Sequence, residues 1–185
     1  KRAIERVAKA LRSCRRGLIV CGPDDAGPPL AHAVTRLAAV LGYPVIADPV
    51  SQVRFGPHDA SRVMGAYDCF LRSSSFAERH APEIILQFGA APTSKVYHSY
   101  AARHAGALHL SVDPAGQSRA PSRRAREVIA ADPVETALAL CEALSRKADP
   151  LRSWLEAFRR AEQIAREVID RHIVETDALC ETRVF

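Results

Sequence analysis

Residues 17–49, GLIVCGPDDAGPPLAHAVTRLAAVLGYPVIADP, contain a complete strand–helix–strand unit. The run GLIVCG at 17–22 is short and apolar, which is typical of a strand buried on both faces of a parallel sheet. The next segment opens with two prolines and ends before Gly42, the asymmetry expected of a helix. YPVIADP at 43–49 is a second strand-like run. The unit therefore predicts two parallel strands joined by a crossover helix.

The same alternation continues along the chain. EIILQFG at 83–89, ALHLSVD at 107–113 and EVIAAD at 127–132 predict further strands, with helical segments between and after them. Residues 61–82 instead predict short helices broken by serines. We therefore predict an α/β fold with a Rossmann-like, mainly parallel sheet and helices on both faces. In such sheets, ligands bind beyond the carboxyl ends of the strands.

The pattern changes at about residue 150, where one long amphipathic helix begins and no strand follows. One of its faces carries mainly apolar residues and a histidine, namely Leu151, Trp154, Leu155, Phe158, Ala161, Ala165, Val168, Ile169 and His172. We predict a Rossmann-like domain at 1–149, and at 150–185 a linker helix with the start of a further domain. Because the chain begins with Lys1 rather than Met, we expect it to be a piece of a longer protein.

Composition and charge exclude several classes of protein. The 185 residues include 26 Lys and Arg against 21 Asp and Glu, a net charge of +5. No apolar run approaches the ~18 residues of a membrane span, and no nucleic-acid-binding motif occurs. We therefore predict neither a membrane nor a nucleic acid as partner. The five cysteines have no C-x-x-C pair, which predicts free thiols in a reducing compartment and hence a cytoplasmic location.

The first strand ends in VCGPDDAG, which lacks the G-x-G-x-x-G spacing of a dinucleotide site. Two carboxylates in this turn would also repel phosphate. A module that binds a nucleotide or an acidic metabolite nevertheless stays open as an alternative function. An interaction module that acts through the amphipathic helix is a third possibility.

Cations follow three of the predicted strands. Arg54 lies in VSQVRFG, Lys95 ends the run QFGAAPTSK, and Arg119 lies in AGQSRAP. Lys95 is also close to a predicted helix start, where backbone N–H groups favour an anion. Three loops at one edge of a parallel sheet thus each carry one cation. This arrangement predicts a pocket for a carboxylate or a phosphate.

Several stretches closely resemble the middle domain of the MenD family. They are GLIVCG, YPVIADPVSQVRFG, AYDCFLRS, PEIILQFGAAPTSK and VDPAGQSRAPSRRA, and their order and spacing cover nearly the whole chain. The family pattern WRDP reads SRAP here, so Arg119 is kept while the aromatic residue and the acid are absent. MenD enzymes are 2-succinyl-5-enolpyruvyl-6-hydroxy-3-cyclohexene-1-carboxylate synthases of menaquinone biosynthesis.

The resemblance implies a transferase reaction on thiamine diphosphate and Mg²⁺. The enzyme decarboxylates 2-oxoglutarate and adds the resulting succinyl-semialdehyde unit to isochorismate. Because both substrates carry carboxylates, the resemblance implies cationic contacts, and the lysine of the SK motif, here Lys95, looks like one of them. With its neighbour Ser94 and the cations Arg54 and Arg119 at the sheet edge, it makes up the predicted substrate-binding set. It also implies a homo-oligomer when the protein is intact.

The cofactor machinery of that family is not found in this sequence. No G-D-G…N-N motif for magnesium and diphosphate occurs. We therefore predict no catalytic, cofactor-binding or metal-binding residue in this chain, and no activity of the chain alone. The flanking domains of the longer protein are expected to bind thiamine diphosphate and Mg²⁺.

Overall fold

The computed structural model describes residues 2–24, 26–116, 127–144 and 151–175. In chain order the elements are α1 (Arg2–Ser13), β1 (Gly17–Cys21), α2 (Gly27–Leu41), β2 (Val45–Ala47), a 3₁₀ turn (Pro49–Ser51), β3 (Val63–Met64), α3 (Tyr67–Leu71), α4 (Ser74–Arg79), β4 (Ile84–Phe88), α5 (Lys95–Arg103), β5 (Leu108–Val112), β6 (Glu127–Ile129), α6 (Pro133–Leu144) and α7 (Arg152–Glu175). Every pairing among the six strands is parallel, in the order β3-β2-β1-β4-β5-β6. The predicted α/β fold with a Rossmann-like sheet is confirmed.

The central strands carry mainly apolar side chains, which are buried on both faces of the sheet. All five residues of β1 and all five of β4 are buried. α2 begins at Gly27 with prolines in its first turn and ends at Leu41. Gly42 caps it with a φ of 66°, in the left-handed region that glycine tolerates best. The strand–helix–strand unit predicted at 17–49 is therefore present in the structure.

Two helical layers cover the sheet. On one face, α1, α2 and α6 pack over a core that includes Ile19, Leu86 and Leu110. On the other face, residues of α3, α4, α5 and α7 join Leu18 and Ile85 in a second core. Both faces of the sheet are therefore covered, as the apolar composition of its strands requires.

The prediction for residues 61–82 was wrong in one detail. Val63 and Met64 form β3, an edge strand of two residues that pairs with β2. α3 and α4 follow, and α4 is capped by Ser73, whose hydroxyl accepts a hydrogen bond from the Phe76 amide at 3.3 Å. The strand was missed because two residues are too few to show a periodic pattern.

The first half of α7 packs on the second face of the sheet. The Trp154 indole N–H donates a hydrogen bond of 2.8 Å to the carbonyl of Gly17, at the start of β1. Phe158 is fully buried and makes edge-on contacts with the rings of Phe70 and Phe76. From Arg166 onward, nearly every side chain of the helix is exposed. The division of the chain at 149/150 stays a prediction, and α7, which lies after it, packs on residues that precede it.

None of the helices within the described segments is long and apolar enough to cross a membrane.

Candidate functional site

The loops after β2 and β4 are held together by Asp48, a fully buried carboxylate. One carboxylate oxygen accepts a hydrogen bond of 3.0 Å from the Val50 amide and so caps the 3₁₀ turn. The other accepts hydrogen bonds from the amide and the hydroxyl of Thr93, at 2.8 and 3.0 Å. A buried carboxylate is stable here because donors surround it. Asp48 therefore fixes the loop that leads to Ser94 and Lys95.

Ser94 is the N-cap of α5. Its hydroxyl accepts a hydrogen bond of 3.1 Å from the Tyr97 amide and donates one to the carboxylate of Asp68 in α3. Lys95, the first residue of the helix, is exposed. Within the described part of the chain, Lys95 has no carboxylate partner. The structure thus places a solvent-facing ammonium at a helix N-terminus, where an anion is favoured.

Arg54 lies in the loop that follows β2 and the 3₁₀ turn. Its Nε donates a hydrogen bond of 2.9 Å to the carbonyl of Ala47, the last residue of β2. Its guanidinium lies 5.8 Å from the centre of the Tyr67 ring, a cation–π contact. Burial, with a smaller contribution from the Asp48 carboxylate, raises the pKa of Tyr67 to about 12, while Arg54 and the Ser94 hydroxyl act in the opposite direction. Tyr67 therefore packs against Arg54 and lies close to Ser94.

A shallow groove of about 250 Å³ runs beside Lys95, between α3–α4 and α5. Arg72 and Arg103 also line it, but each is paired with a carboxylate, Asp68 at 3.8 Å and Glu78 at 2.7 Å respectively. Lys95 is therefore the groove cation without such a pair among the described residues.

Arg119, the remaining predicted contact, lies outside the described residues. Ser94 and Lys95 lie side by side at the start of α5. Arg54 packs on Tyr67 but lines a different groove from Lys95, beside β3 and α7. Substrate binding by these residues stays a prediction.

The crevice between β1 and β4 is closed by the chain itself. In sheets of this strand order, this is where a dinucleotide would bind. A Cβ at Gly22 would lie 1.7 Å from the carbonyl oxygen of Ala90, and the Ala90 amide donates a hydrogen bond of 3.0 Å to the carbonyl of Pro23. Gly89 adopts a φ of +72°, which lets the second loop turn back onto the first.

The remaining cleft at this edge, about 430 Å³, is acidic. Among the described residues, Asp24, Asp113 and Asp132 line it, and no described lysine or arginine does. These carboxylates would repel the phosphates of a nucleotide. The crevice and the cleft together disfavour the alternative of a nucleotide-binding module.

Sequence reasoning missed three residues that organise the site: Tyr67, Asp68 and Glu162. Tyr67 and Asp68 begin a five-residue helix whose start has no recognisable capping residue in the sequence. Glu162 lies nearly a hundred positions farther along the chain, yet its carboxylate accepts hydrogen bonds from the Gly65 and Ala66 amides, just before Tyr67. A polar residue on the otherwise apolar face of α7 was the only signal for Glu162.

A family model described as the middle domain of thiamine pyrophosphate matches residues 4–185. The chain belongs to this family, the middle domains of thiamine pyrophosphate enzymes.

Three curated relatives of this middle domain carry the same name, 2-succinyl-5-enolpyruvyl-6-hydroxy-3-cyclohexene-1-carboxylate synthase. The protein of Chloroflexus aurantiacus is 40% identical over 180 residues, which cover 97% of the chain and 30% of the relative. That of Haloarcula marismortui is 41% identical over 181 residues, 95% of the chain and 30% of the relative. That of Geobacillus kaustophilus is 36% identical over 174 residues, 92% and 29% respectively. The predicted resemblance to MenD middle domains is confirmed, and the chain spans about 30% of the length of these relatives.

The described residues of this middle domain do not fit thiamine diphosphate. The crevice that would face a diphosphate is filled by Ala90, and the cleft beside it is lined by three aspartates. These aspartates do not form a metal site either, because no group of three or more His, Cys, Asp or Glu in the described segments is arranged to hold an ion. The described residues therefore provide no site for the cofactor.

Proposed function

We propose that this chain is the middle domain of a 2-succinyl-5-enolpyruvyl-6-hydroxy-3-cyclohexene-1-carboxylate synthase of menaquinone biosynthesis. The observation that carries the proposal is identity of about 40% to such synthases over nearly the whole chain. The intact enzyme would decarboxylate 2-oxoglutarate and transfer the succinyl-semialdehyde unit to isochorismate. Thiamine diphosphate and Mg²⁺ would be bound by flanking domains of the same longer polypeptide, which would assemble as a homo-oligomer in the cytoplasm.

The middle domain would space the cofactor-binding domains and supply positive charge to the substrates. Lys95 supports this role because it is exposed, lies at a helix N-terminus and has no carboxylate partner within the described residues. Arg54 is held by the Ala47 carbonyl and the Tyr67 ring, so its guanidinium has a defined position. Both are suited to a substrate carboxylate.

Ser94 and Arg119 complete the proposed set of contacts. The Ser94 hydroxyl already donates to Asp68 and accepts from the Tyr97 amide. A direct contact with substrate would therefore use its remaining accepting lone pair or replace one of these bonds. Arg119 rests on the sequence motif alone.

The test is an assay of the longer reading frame that contains this chain. The purified protein is incubated with 2-oxoglutarate, isochorismate, thiamine diphosphate and Mg²⁺, and the product is identified by mass. We expect product only when both substrates are present, and none from residues 1–185 alone. Turnover of a different 2-oxo acid, with no product from isochorismate, would refute the proposed function.

A further inference from the structure

A single buried carboxylate joins α7 to the segment that carries the candidate site. Glu162 is 7% exposed and lies on the face of α7 that packs on the domain. One of its oxygens accepts a hydrogen bond of 2.9 Å from the Gly65 amide, and the other accepts one of 2.9 Å from the Ala66 amide. Arg166, one turn farther along α7, donates to Glu162 at 2.6 Å and balances its charge. The carboxylate thus holds two successive backbone amides at the start of α3.

The two residues that follow these amides contact the candidate site directly. Tyr67 supports the Arg54 guanidinium with its ring, and Asp68 accepts a hydrogen bond from the Ser94 hydroxyl. Moving the start of α3 would therefore move the supports of Arg54 and Ser94 together.

The network reaches Lys95 through the cap of α5. Ser94 binds the Tyr97 amide at 3.1 Å, so the position of its hydroxyl sets the first turn of the helix that begins with Lys95. Glu162 is thus connected by consecutive contacts to Arg54, Ser94 and Lys95, the candidate residues that the structure describes. It is not itself proposed to contact a substrate.

We propose that Glu162 is a positioning residue, which sets the geometry of Arg54, Ser94 and Lys95 by fixing the amides of Gly65 and Ala66. The consequence for substrate rests on the proposed function, whereas the positioning itself is a property of this chain. Because Glu162 lies on α7, the side chain that would position the candidate residues is outside the loops that carry them.

The experiment compares amide hydrogen exchange, followed by NMR, in residues 1–185 with Glu162, with Glu162→Ala and with Glu162→Gln. Glu167→Ala is the matched control, because Glu167 lies on the same helix, is exposed and bonds only Gln163 among the described residues. In Glu162→Ala we expect exchange of the Gly65 and Ala66 amides to become roughly ten- to hundredfold faster, since hydrogen bonds to a charged acceptor are lost. The Tyr97 amide, which reports on the α5 cap, is expected to exchange about threefold faster or more.

The Leu140 amide in α6, on the opposite face of the sheet, is expected to be unchanged in all variants. Acceleration at residues 65–66 with no change at Tyr97 would overturn the proposal, because Glu162 would then cap α3 and do no more. Equal acceleration at Leu140 would also overturn it, because the effect would be one of global stability. If Glu162→Ala does not fold, Glu162→Gln keeps the side-chain shape and one acceptor, and the same comparison decides.

A kinetic readout links the positioning role to substrate. In the longer enzyme, Glu162→Gln is expected to raise the KM for isochorismate about threefold or more while kcat changes less, because the candidate residues bind substrate. A fall in kcat at constant KM would contradict that link. If the unsubstituted longer enzyme has no synthase activity, the proposed function fails and the exchange experiment still decides the positioning role.

Discussion

At the level of single residues, Lys95 combines exposure with the positive end of α5 and the absence of a carboxylate partner in the described structure. The Lys95→Ala substitution in the longer enzyme is expected to remove one charge-assisted hydrogen bond to substrate, worth about 1.5–3 kcal/mol. This corresponds to a loss of roughly ten- to hundredfold, or slightly more, in kcat/KM for isochorismate. Steady-state kinetics provide the measurement.

The matched control for this prediction is Lys9→Ala, because Lys9 is also exposed but lies on α1, on the opposite face of the sheet. We expect Lys9→Ala to leave kcat/KM unchanged, and both substitutions to leave the thermal unfolding of residues 1–185 nearly unchanged. Unchanged kinetics in Lys95→Ala would show that Lys95 is a surface lysine that does not contact the substrate. A large loss of stability would make it a structural residue.

His109 makes a prediction about pH. It is 6% exposed on β5, and its Nε2 lies 3.1 Å from the Gln87 side-chain oxygen, while the Gln87 amide donates to the Gly89 carbonyl. Burial lowers the pKa of His109 from 6.5 to about 4. The imidazole of the unfolded chain therefore binds a proton at a higher pH than that of the folded chain. The free energy of unfolding is thus unaffected by this group above about pH 6.5 and falls as the pH drops toward 4, by at most about 3 kcal/mol.

Urea unfolding between pH 7 and pH 4 measures this effect. His109→Gln keeps a donor for Gln87 but does not titrate, so its unfolding free energy is expected to fall less over the same range. An identical pH dependence in the two proteins would show that other groups, and not His109, cause the loss.

At the level of elements, most of the sheet could be predicted because its strands are continuous apolar runs. β1 and β2 stand out in this way and β4 has a single polar residue, whereas β5 alternates apolar residues with His109 and Ser111; Gly42 marks the end of α2. β3 could not be predicted because it has two residues. The support of α3 by Glu162 could not be predicted either, since it joins positions 96 and 97 residues apart that no local pattern relates. The sequence did predict that loops with cations would follow the strands at one edge of the sheet. It could not predict that the crevice between β1 and β4 is closed, because the closure depends on contact between two loops that are far apart in sequence.

The packing of α7 leads to a prediction about that helix. Phe158 is fully buried and contacts the rings of Phe70 and Phe76. Phe158→Ala is therefore expected to destabilise the chain by about 3–5 kcal/mol, because the lost burial leaves a cavity. Val168→Ala, on the exposed half of the same helix, is the control and is expected to change stability by less than about 0.5 kcal/mol. Denaturant midpoints of equal value for the two variants would contradict the packing.

A chain that ends at residue 149 tests the predicted domain boundary. If residues 1–149 are a domain, the truncated chain is expected to keep a cooperative unfolding transition. Because Trp154 and Phe158 are removed, its midpoint is expected to be lower than that of the full chain. Loss of cooperative unfolding would place α7 in the core of the same domain.

At the level of the whole molecule, the described residues of the middle domain form an acidic, closed edge where related sheets bind cofactors. Calorimetric titration of residues 1–185 with thiamine diphosphate and Mg²⁺ is therefore expected to give no binding heat. The same titration of the longer protein is the positive control and is expected to give a saturable signal. A micromolar affinity in the short chain would show that this domain holds the cofactor itself.

The exposed half of α7 also has a geometric meaning. The ten residues from Arg166 to Glu175 extend about 15 Å past the last buried turn. They form a lever whose fulcrum lies at Glu162 and Ala165, the last side chains of the helix that are buried in the domain. A tilt of about 10° at the fulcrum would displace the far end by roughly 3 Å. A molecule that pushes on the tip of α7 would therefore load the contact between Glu162 and the Gly65 and Ala66 amides through a lever arm of about 15 Å.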